Sequence, residues 1–154
     1  MHMINDPTST LAKGSDLSIL TTNAVDASTL EDENQTLTYN DVPRSTEARQ
    51  ADSRLLLVRN WLDTLARPTD MSDANYATFI RYCQSFFIAS SKLWRKNSQG
   101  YHKLVLVSDS RIDILRSAHD KVAHKGFYAT NSLIAVRFWW PQMRADIAWF
   151  IKTC

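Results

Sequence analysis

Two histidines and one cysteine near the end of the sequence have the types and spacing of metal ligands. His119 and His124 are separated by four residues, and Cys154 lies thirty residues after His124. Zinc in structural sites takes four ligands, and neutral imidazole and thiolate are among its usual donors. We therefore predict one metal site with these three residues as ligands. Because zinc-binding cysteines commonly come in Cys-x2-Cys pairs, we expect the fourth ligand beyond the chain end, about three positions after Cys154.

The segments around these residues can bring them together. SDSRIDILRSAHD predicts a helix that ends at His119, with Ser108 or Ser110 as its cap in a capping-box arrangement. After the connector DKVAHKG, FYATNSLIAVRF predicts a second helix. Pro141 suits the first position of a third helix, whose apolar face extends to Cys154. If the last two helices pack antiparallel, the chain returns the cysteine to the histidines.

Upstream, the sequence predicts a helical pair and a hairpin. DSRLLLVRNWLDTLARP repeats apolar residues at helical spacing, which predicts a helix that ends at Pro68. SDANYATFIRYCQSFFIA continues with an apolar stripe that reaches Phe87, and Ser72 or Asp73 can cap its start. KLWRKNSQGYHKLVLV predicts a hairpin with its turn at residues 97–100. The expected fold is mainly α with a small β-hairpin.

Charge and aromatic residues divide the chain. Residues 1–48 carry eight acids against two bases, a formal charge of −6, whereas residues 49–154 carry eight acids against 16 bases, a charge of +8. All five Trp and all six Phe follow residue 60. Because residues 1–48 offer little apolar surface to offset chain entropy, we predict a disordered acidic linker there. Residues 49–88 then form the helical pair, and residues 89–154 form the hairpin and the metal-binding part.

Several residues that could bind a metal or stack on bases are interpreted instead as core or surface residues. Cys83 falls on an apolar helix stripe, where a free cysteine acts as a small hydrophobe. His102 is interpreted as a surface residue beside the hairpin turn. Trp139, Trp140 and Trp149 could stack on bases, but tryptophans at a helix start or on a helix face more often belong to the core.

Composition excludes several classes of function. The sequence has no P-loop, dinucleotide-binding glycine motif, nucleophile elbow or HExxH motif, so we predict no catalytic residues and no small-molecule substrate. Two cysteines are too few for a secreted disulfide framework, which favours an intracellular protein. The start of the chain lacks an apolar signal region, and no run approaches the roughly 18 apolar residues of a membrane span.

The basic residues of the second part point to an anionic partner. A charge of +8 attracts phosphate, with strong salt dependence and little sequence preference. The alternative is a solvated surface without a partner. Lys121 and Lys125 are favoured as nucleic-acid contacts because they flank the predicted site, and Arg137 and Arg144 are further candidates. The full basic set is Arg95, Lys96, Lys103, Arg111, Arg116, Lys121, Lys125, Arg137, Arg144 and Lys152.

Several motifs together resemble a known family. HDKVAHKG, RFWWP and DIAWFIKTC, with KLWRK and RIDILRSAHD before them, are similar to the integrase zinc-binding domain (His-His-Cys-Cys type, HHCC) of gypsy-type long-terminal-repeat retrotransposons, especially fungal ones. The resemblance covers about residues 54–154 and is strongest from Leu93 onward. It implies a helical subdomain in which His119, His124 and Cys154 bind Zn2+.

The resemblance also implies a function. In that family the module is non-catalytic and supports integrase multimerisation and binding to the DNA ends of the element, so the expected partners are DNA, the integrase catalytic core and further copies. A nuclear location is implied as well. The second cysteine and the catalytic core are absent from these residues, so we expect a polyprotein fragment that is not itself an enzyme. The alternative is a relic or domesticated fragment that acts as a metal-free protein-interaction adaptor.

Overall fold

The computed structural model describes residues 36–154. Thr38–Cys154 forms one compact unit. The prediction of a mainly α fold with a small β component is confirmed. In chain order the elements are a 3-10 turn (Tyr39–Asp41), α1 (Thr46–Thr64), α2 (Asp73–Cys83), β1 (Phe86–Ala89), β2 (Lys92–Arg95), β3 (Lys103–Val105), α3 (Ser108–Lys121), α4 (Phe127–Ala135), β4 (Phe138–Trp139) and α5 (Met143–Thr153).

The predicted linker is wrong for residues 38–48. Val42 and Ala48 are buried, and α1 begins at Thr46, earlier than the apolar pattern indicated. The signal for this start is Ser45, whose hydroxyl accepts a hydrogen bond from the backbone N–H of Ala48. Ion pairs of Arg44 with Asp52 and Asp146 also hold this polar segment. Residues 1–35 of the predicted linker lie outside the described part of the chain.

The end of the second predicted helix is a strand. α2 is capped by Ser72 as expected but ends at Cys83, and the following Phe86–Ala89 forms β1. Ser90 and Ser91 both have positive φ, 52° and 61°, which is the backbone of a tight hairpin turn. Adjacent aromatic and β-branched side chains favour the strand once that turn brings it against β2.

The predicted hairpin is therefore part of a larger sheet. β2 and β3 pair antiparallel around the predicted turn, which confirms the hairpin itself. β1 adds to one edge antiparallel to β2, and β4 adds to the other edge parallel to β3. The sheet order is β1-β2-β3-β4. β4 ends at Trp139, and three residues separate it from the start of α5, so the last helix follows closely on the edge strand of the sheet.

Two predicted helix starts are different in the structure. α3 begins at Ser108 with Val107 as its N-cap, and no side chain caps it, so the predicted capping box at Ser108 or Ser110 is wrong. α5 begins at Met143 rather than at Pro141, because Gln142 before it has a left-handed backbone with φ of 60°.

The core has two centres. The helical pair and the sheet share one cluster, which contains the fully buried Cys83, as predicted, and packs against the half-buried Trp139. Its buried members are Leu55, Val58, Phe79, Cys83, Phe86, Leu93 and Val105. In the C-terminal part of the chain, Trp140 between β4 and α5 is completely buried and Trp149 of α5 is half-buried. The interpretation of Trp140 as a core residue is confirmed.

Candidate metal centre

The structure brings the three predicted ligands to one place. His119 lies in the last turn of α3, His124 in the connector after it, and Cys154 directly after α5. One potential ligand atom from each of the three lies within 4.8 Å of the others. His119 is buried, whereas His124 and Cys154 are exposed. Solvent can therefore reach the centre from the side of His124 and Cys154.

A tight reversal after α3 places the second histidine. Ala123 and His124 have positive φ, 52° and 58°, a conformation that non-glycine residues adopt at a cost of about 1–3 kcal/mol each. The backbone N–H of His124 donates to the carbonyl of His119 at 3.2 Å, which closes the turn. As a result the two imidazole rings meet edge to face, with centroids 4.7 Å apart.

The last helix supplies the cysteine. Phe150 of α5 is buried and lies edge-on to the ring of His119, with centroids 5.9 Å apart. One turn later the backbone N–H of Cys154 donates to the Phe150 carbonyl at 3.0 Å, so the helical path continues to the cysteine. Packing of Phe150 on His119 thus fixes the position of the chain from which Cys154 presents its thiol.

One nitrogen of the centre lacks a partner. His119 is 4% exposed, yet its buried Nδ1 makes no hydrogen bond. An unpaired buried polar atom costs roughly 1–3 kcal/mol, so most such atoms in proteins have a partner. A metal ion would satisfy it. Two imidazoles and a thiolate are donors that suit zinc, so these residues fit the predicted metal.

A buried charged network lies in the same unit, and sequence reasoning missed it. Asp52 accepts hydrogen bonds from Arg44 at 2.6 Å and from Arg111 at 2.8 Å. Arg44 also pairs with Asp146 at 3.2 Å. The Tyr39 hydroxyl donates to Asp146 at 2.6 Å and accepts from Arg111 at 2.8 Å. Arg111 is therefore a buried structural residue, and its place in the predicted basic surface set is wrong.

Burial and the hydrogen bond to Asp146 raise the pKa of Tyr39 well above its usual value of 10.0. The hydroxyl is protonated at neutral pH, as an ordinary tyrosine is, and it donates to Asp146; the raised pKa extends this state to more alkaline pH. A second donor to the same carboxylate is the indole N–H of the buried Trp140, at 2.8 Å. Asp146 is thus an acceptor shared by three residues, Tyr39, Arg44 and Trp140.

The four predicted nucleic-acid contacts are all exposed. Lys121 and Arg137 line the same surface groove, between α3 and the end of α4. Arg144 lies elsewhere, with its guanidinium 5.1 Å from the ring centre of Phe127. Lys125 follows His124 directly in the connector. Of the four, Lys121 and Arg137 are placed together by the structure.

Comparison with known proteins agrees with this geometry. No curated protein matches the chain. Residues 107–154 match the family described as the integrase zinc binding domain. The match contains α3, α4, α5 and all three candidate ligands. The gypsy-type and fungal assignments stay predictions, as does a second cysteine after Cys154. Residues 107–154 are therefore similar to the integrase zinc-binding domain, and this matched segment contains the two histidines and the cysteine that the structure brings to one site.

Proposed function

We propose that the chain acts as the zinc-binding module of an integrase, with zinc bound by His119, His124 and Cys154. The observation that carries this proposal is the convergence of one donor atom from each of the three residues within 4.8 Å. The buried Nδ1 of His119, which has no hydrogen-bond partner, supports it. Because zinc would link α3, the connector and α5, its chemistry here is structural: it stabilises the fold rather than activates a substrate. The unpaired nitrogen favours this function over that of a metal-free adaptor.

Cobalt titration tests the metal site directly. Co2+ added to the full chain should give visible absorption, including a thiolate-to-metal charge-transfer band, and Zn2+ should displace it. Cys154→Ser should abolish the charge-transfer band. His124→Gln should weaken binding beyond the roughly 10–100-fold effect of losing an outer-shell partner, because it removes a direct ligand.

His102→Gln is the matched control for this titration. His102 is an exposed histidine outside the cluster, and its Nδ1 accepts from the backbone N–H of Asn97 at 2.9 Å. This variant should bind Co2+ like the wild type. Retention of the thiolate band in Cys154→Ser, or equal losses in both histidine variants, would overturn the assignment.

We further propose that the module contacts DNA and self-associates during integration. The exposed cations support the first role, since the part of the chain after residue 48 carries a formal charge of +8. Exposed apolar side chains on and just after α4, namely Tyr128, Leu133 and Val136, offer a surface for the second. The nucleus is the compartment that this proposed function requires.

Salt dependence tests the DNA role. Affinity for a short duplex should fall steeply with salt, and Lys121→Ala should reduce the slope of log K against log salt by about 1, as expected for one lost phosphate contact. Lys92→Ala, an exposed lysine outside the matched segment, should leave that slope unchanged. A slope near zero in the wild type, or equal effects of the two lysine variants, would contradict the role.

A further inference from the structure

Two helices each connect the charged network to the metal centre, because each has one network residue and one candidate ligand along the same side. Such a pair of residues is called a stripe below. Arg111 and His119 of α3 are eight residues apart. Asp146 of α5 and Cys154, directly after α5, are also eight residues apart. Residues separated by four and by eight lie near one helix face, and eight residues span about 12 Å. Each stripe therefore has a charged end in the network and a ligand end at the metal centre.

The two stripes meet at both ends. At the charged end, the Tyr39 hydroxyl bonds to Arg111 of α3 and to Asp146 of α5. At the other end, His119 of α3 and Cys154 have ligand atoms within 4.8 Å. The two helices thus run side by side in the same direction, and each end of the pair is held by its own set of polar contacts.

Residues outside the matched family segment make the connection at the charged end. Tyr39 and Arg44 precede α1, and Asp52 lies within it. Arg44 joins Asp52 to Asp146 and also donates to the Pro141 carbonyl at 2.8 Å. The side chains of Arg44 and Asp146 are 6% and 2% exposed, so the contact between them is shielded from water, whereas Asp52 is 27% exposed. Movement of this segment would change how α5 lies against α3.

We propose that Tyr39 and Arg44 are positioning residues of the metal centre: by holding the charged ends of α3 and α5 together, they set the separation of His119 and Cys154. This inference rests on the proposed function, because it requires a metal at the three ligands. In this arrangement, hydrogen bonds and ion pairs hold α3 and α5 together at the charged end, and a bound ion would hold them together at the ligand end. The zinc-binding unit then extends beyond residues 107–154 to include residues 38–52.

Thermodynamic linkage makes the connection reciprocal. If an ordered network favours metal binding, then a bound metal must favour the ordered network by the same free energy. Loss of the Tyr39 hydroxyl should weaken metal binding, and metal should protect residues 38–52. A residue that only stabilised the fold in general would not produce a metal-dependent change concentrated in this segment.

Tyr39→Phe in the full chain is the first test. It keeps the ring and removes only the hydroxyl, and we expect Co2+ affinity to fall by about fivefold or more, the lower range of coupling between two sites. Tyr128→Phe is the control, because Tyr128 is 82% exposed and lies within the matched segment. Equal affinities in Tyr39→Phe and the wild type, with both folded, would overturn the proposal.

Hydrogen exchange of the wild type is the second test, and it does not depend on a variant that folds. Zn2+ should slow amide exchange in residues 38–52 more than in α2, which carries none of the network residues. Equal slowing in both segments would indicate general stabilisation and would also overturn the proposal. Arg44→Lys, which retains a charge but not the forked contacts, should reduce the protection of residues 38–52.

The outcomes separate this inference from the proposed function. If the wild type binds Co2+ and Tyr39→Phe binds it equally well, the metal site stands and the positioning role fails. If the wild type binds neither Co2+ nor Zn2+, the proposed function fails and the positioning role fails with it. Weaker binding by Tyr39→Phe, together with zinc protection of residues 38–52, supports both.

Discussion

Replacement of Asp146 with alanine should lower the free energy of unfolding by about 3–5 kcal/mol, as expected when one partner of a buried ion pair is removed. The Asp146 side chain is 2% exposed and accepts hydrogen bonds from Tyr39, Arg44 and Trp140. The substitution leaves the Arg44 charge without this partner and the buried indole N–H without its acceptor. Because domains are stable by only about 5–15 kcal/mol, much of the total would be lost.

Urea denaturation measures this change, and Asp109→Ala is the control. Both aspartates lie in the first turn of a helix, α3 for Asp109 and α5 for Asp146, so both interact favourably with the helix dipole. Asp109 is exposed, and its loss should cost no more than about 1 kcal/mol. Similar losses for the two variants would show that the buried network contributes little beyond the helix dipole.

The network explains why part of the fold could not be predicted from the sequence. Its hydrogen bonds and ion pairs join residues that are far apart: the hydrogen-bonded Tyr39 and Asp146 are 107 positions apart. Hydrophobic periodicity and local capping signals carry no information on such pairs. In a polar, acidic segment, Arg44 and Tyr39 resemble linker residues, and in the C-terminal part Arg111 resembles a surface cation. Only the tertiary structure shows that the charges of the two parts compensate one another.

Sequence reasoning succeeded where contacts are local or periodic. The position of His119 in the last turn of α3 follows from helical spacing, and the short connector limits where His124 can lie. Only two short helices and one turn separate His124 from Cys154, so few ways of packing these helices are available, and one of them brings Cys154 back to the histidines. The strand at Phe86–Ala89 was missed because aromatic and apolar residues also extended the helical pattern of α2. The turn that decides it, Ser90-Ser91, lacks the usual Asn or Gly at positive φ.

His119→Leu should have effects of opposite sign with and without metal. In the metal-free protein, the wild type carries the cost of the unpaired Nδ1, roughly 1–3 kcal/mol, and an apolar side chain of similar size removes that cost. The variant should therefore be at least as stable as the metal-free wild type. With zinc the order reverses, since free zinc at 100 times Kd stabilises the wild type by about 2.7 kcal/mol and cannot stabilise the variant in the same way.

Thermal unfolding of both proteins, with chelator and with zinc, measures the two effects in one experiment. His102→Leu is the control: it loses an exposed imidazole with one hydrogen bond, so it should be slightly less stable than the wild type in both conditions and keep the full zinc response. A large loss of stability for His119→Leu in chelator would show that the imidazole serves the fold without metal. A zinc response retained by His119→Leu would show that zinc binds elsewhere. The expected reversal requires both that His119 is costly when unliganded and that metal binding removes the cost, which is the behaviour of a residue placed for a ligand rather than for the core.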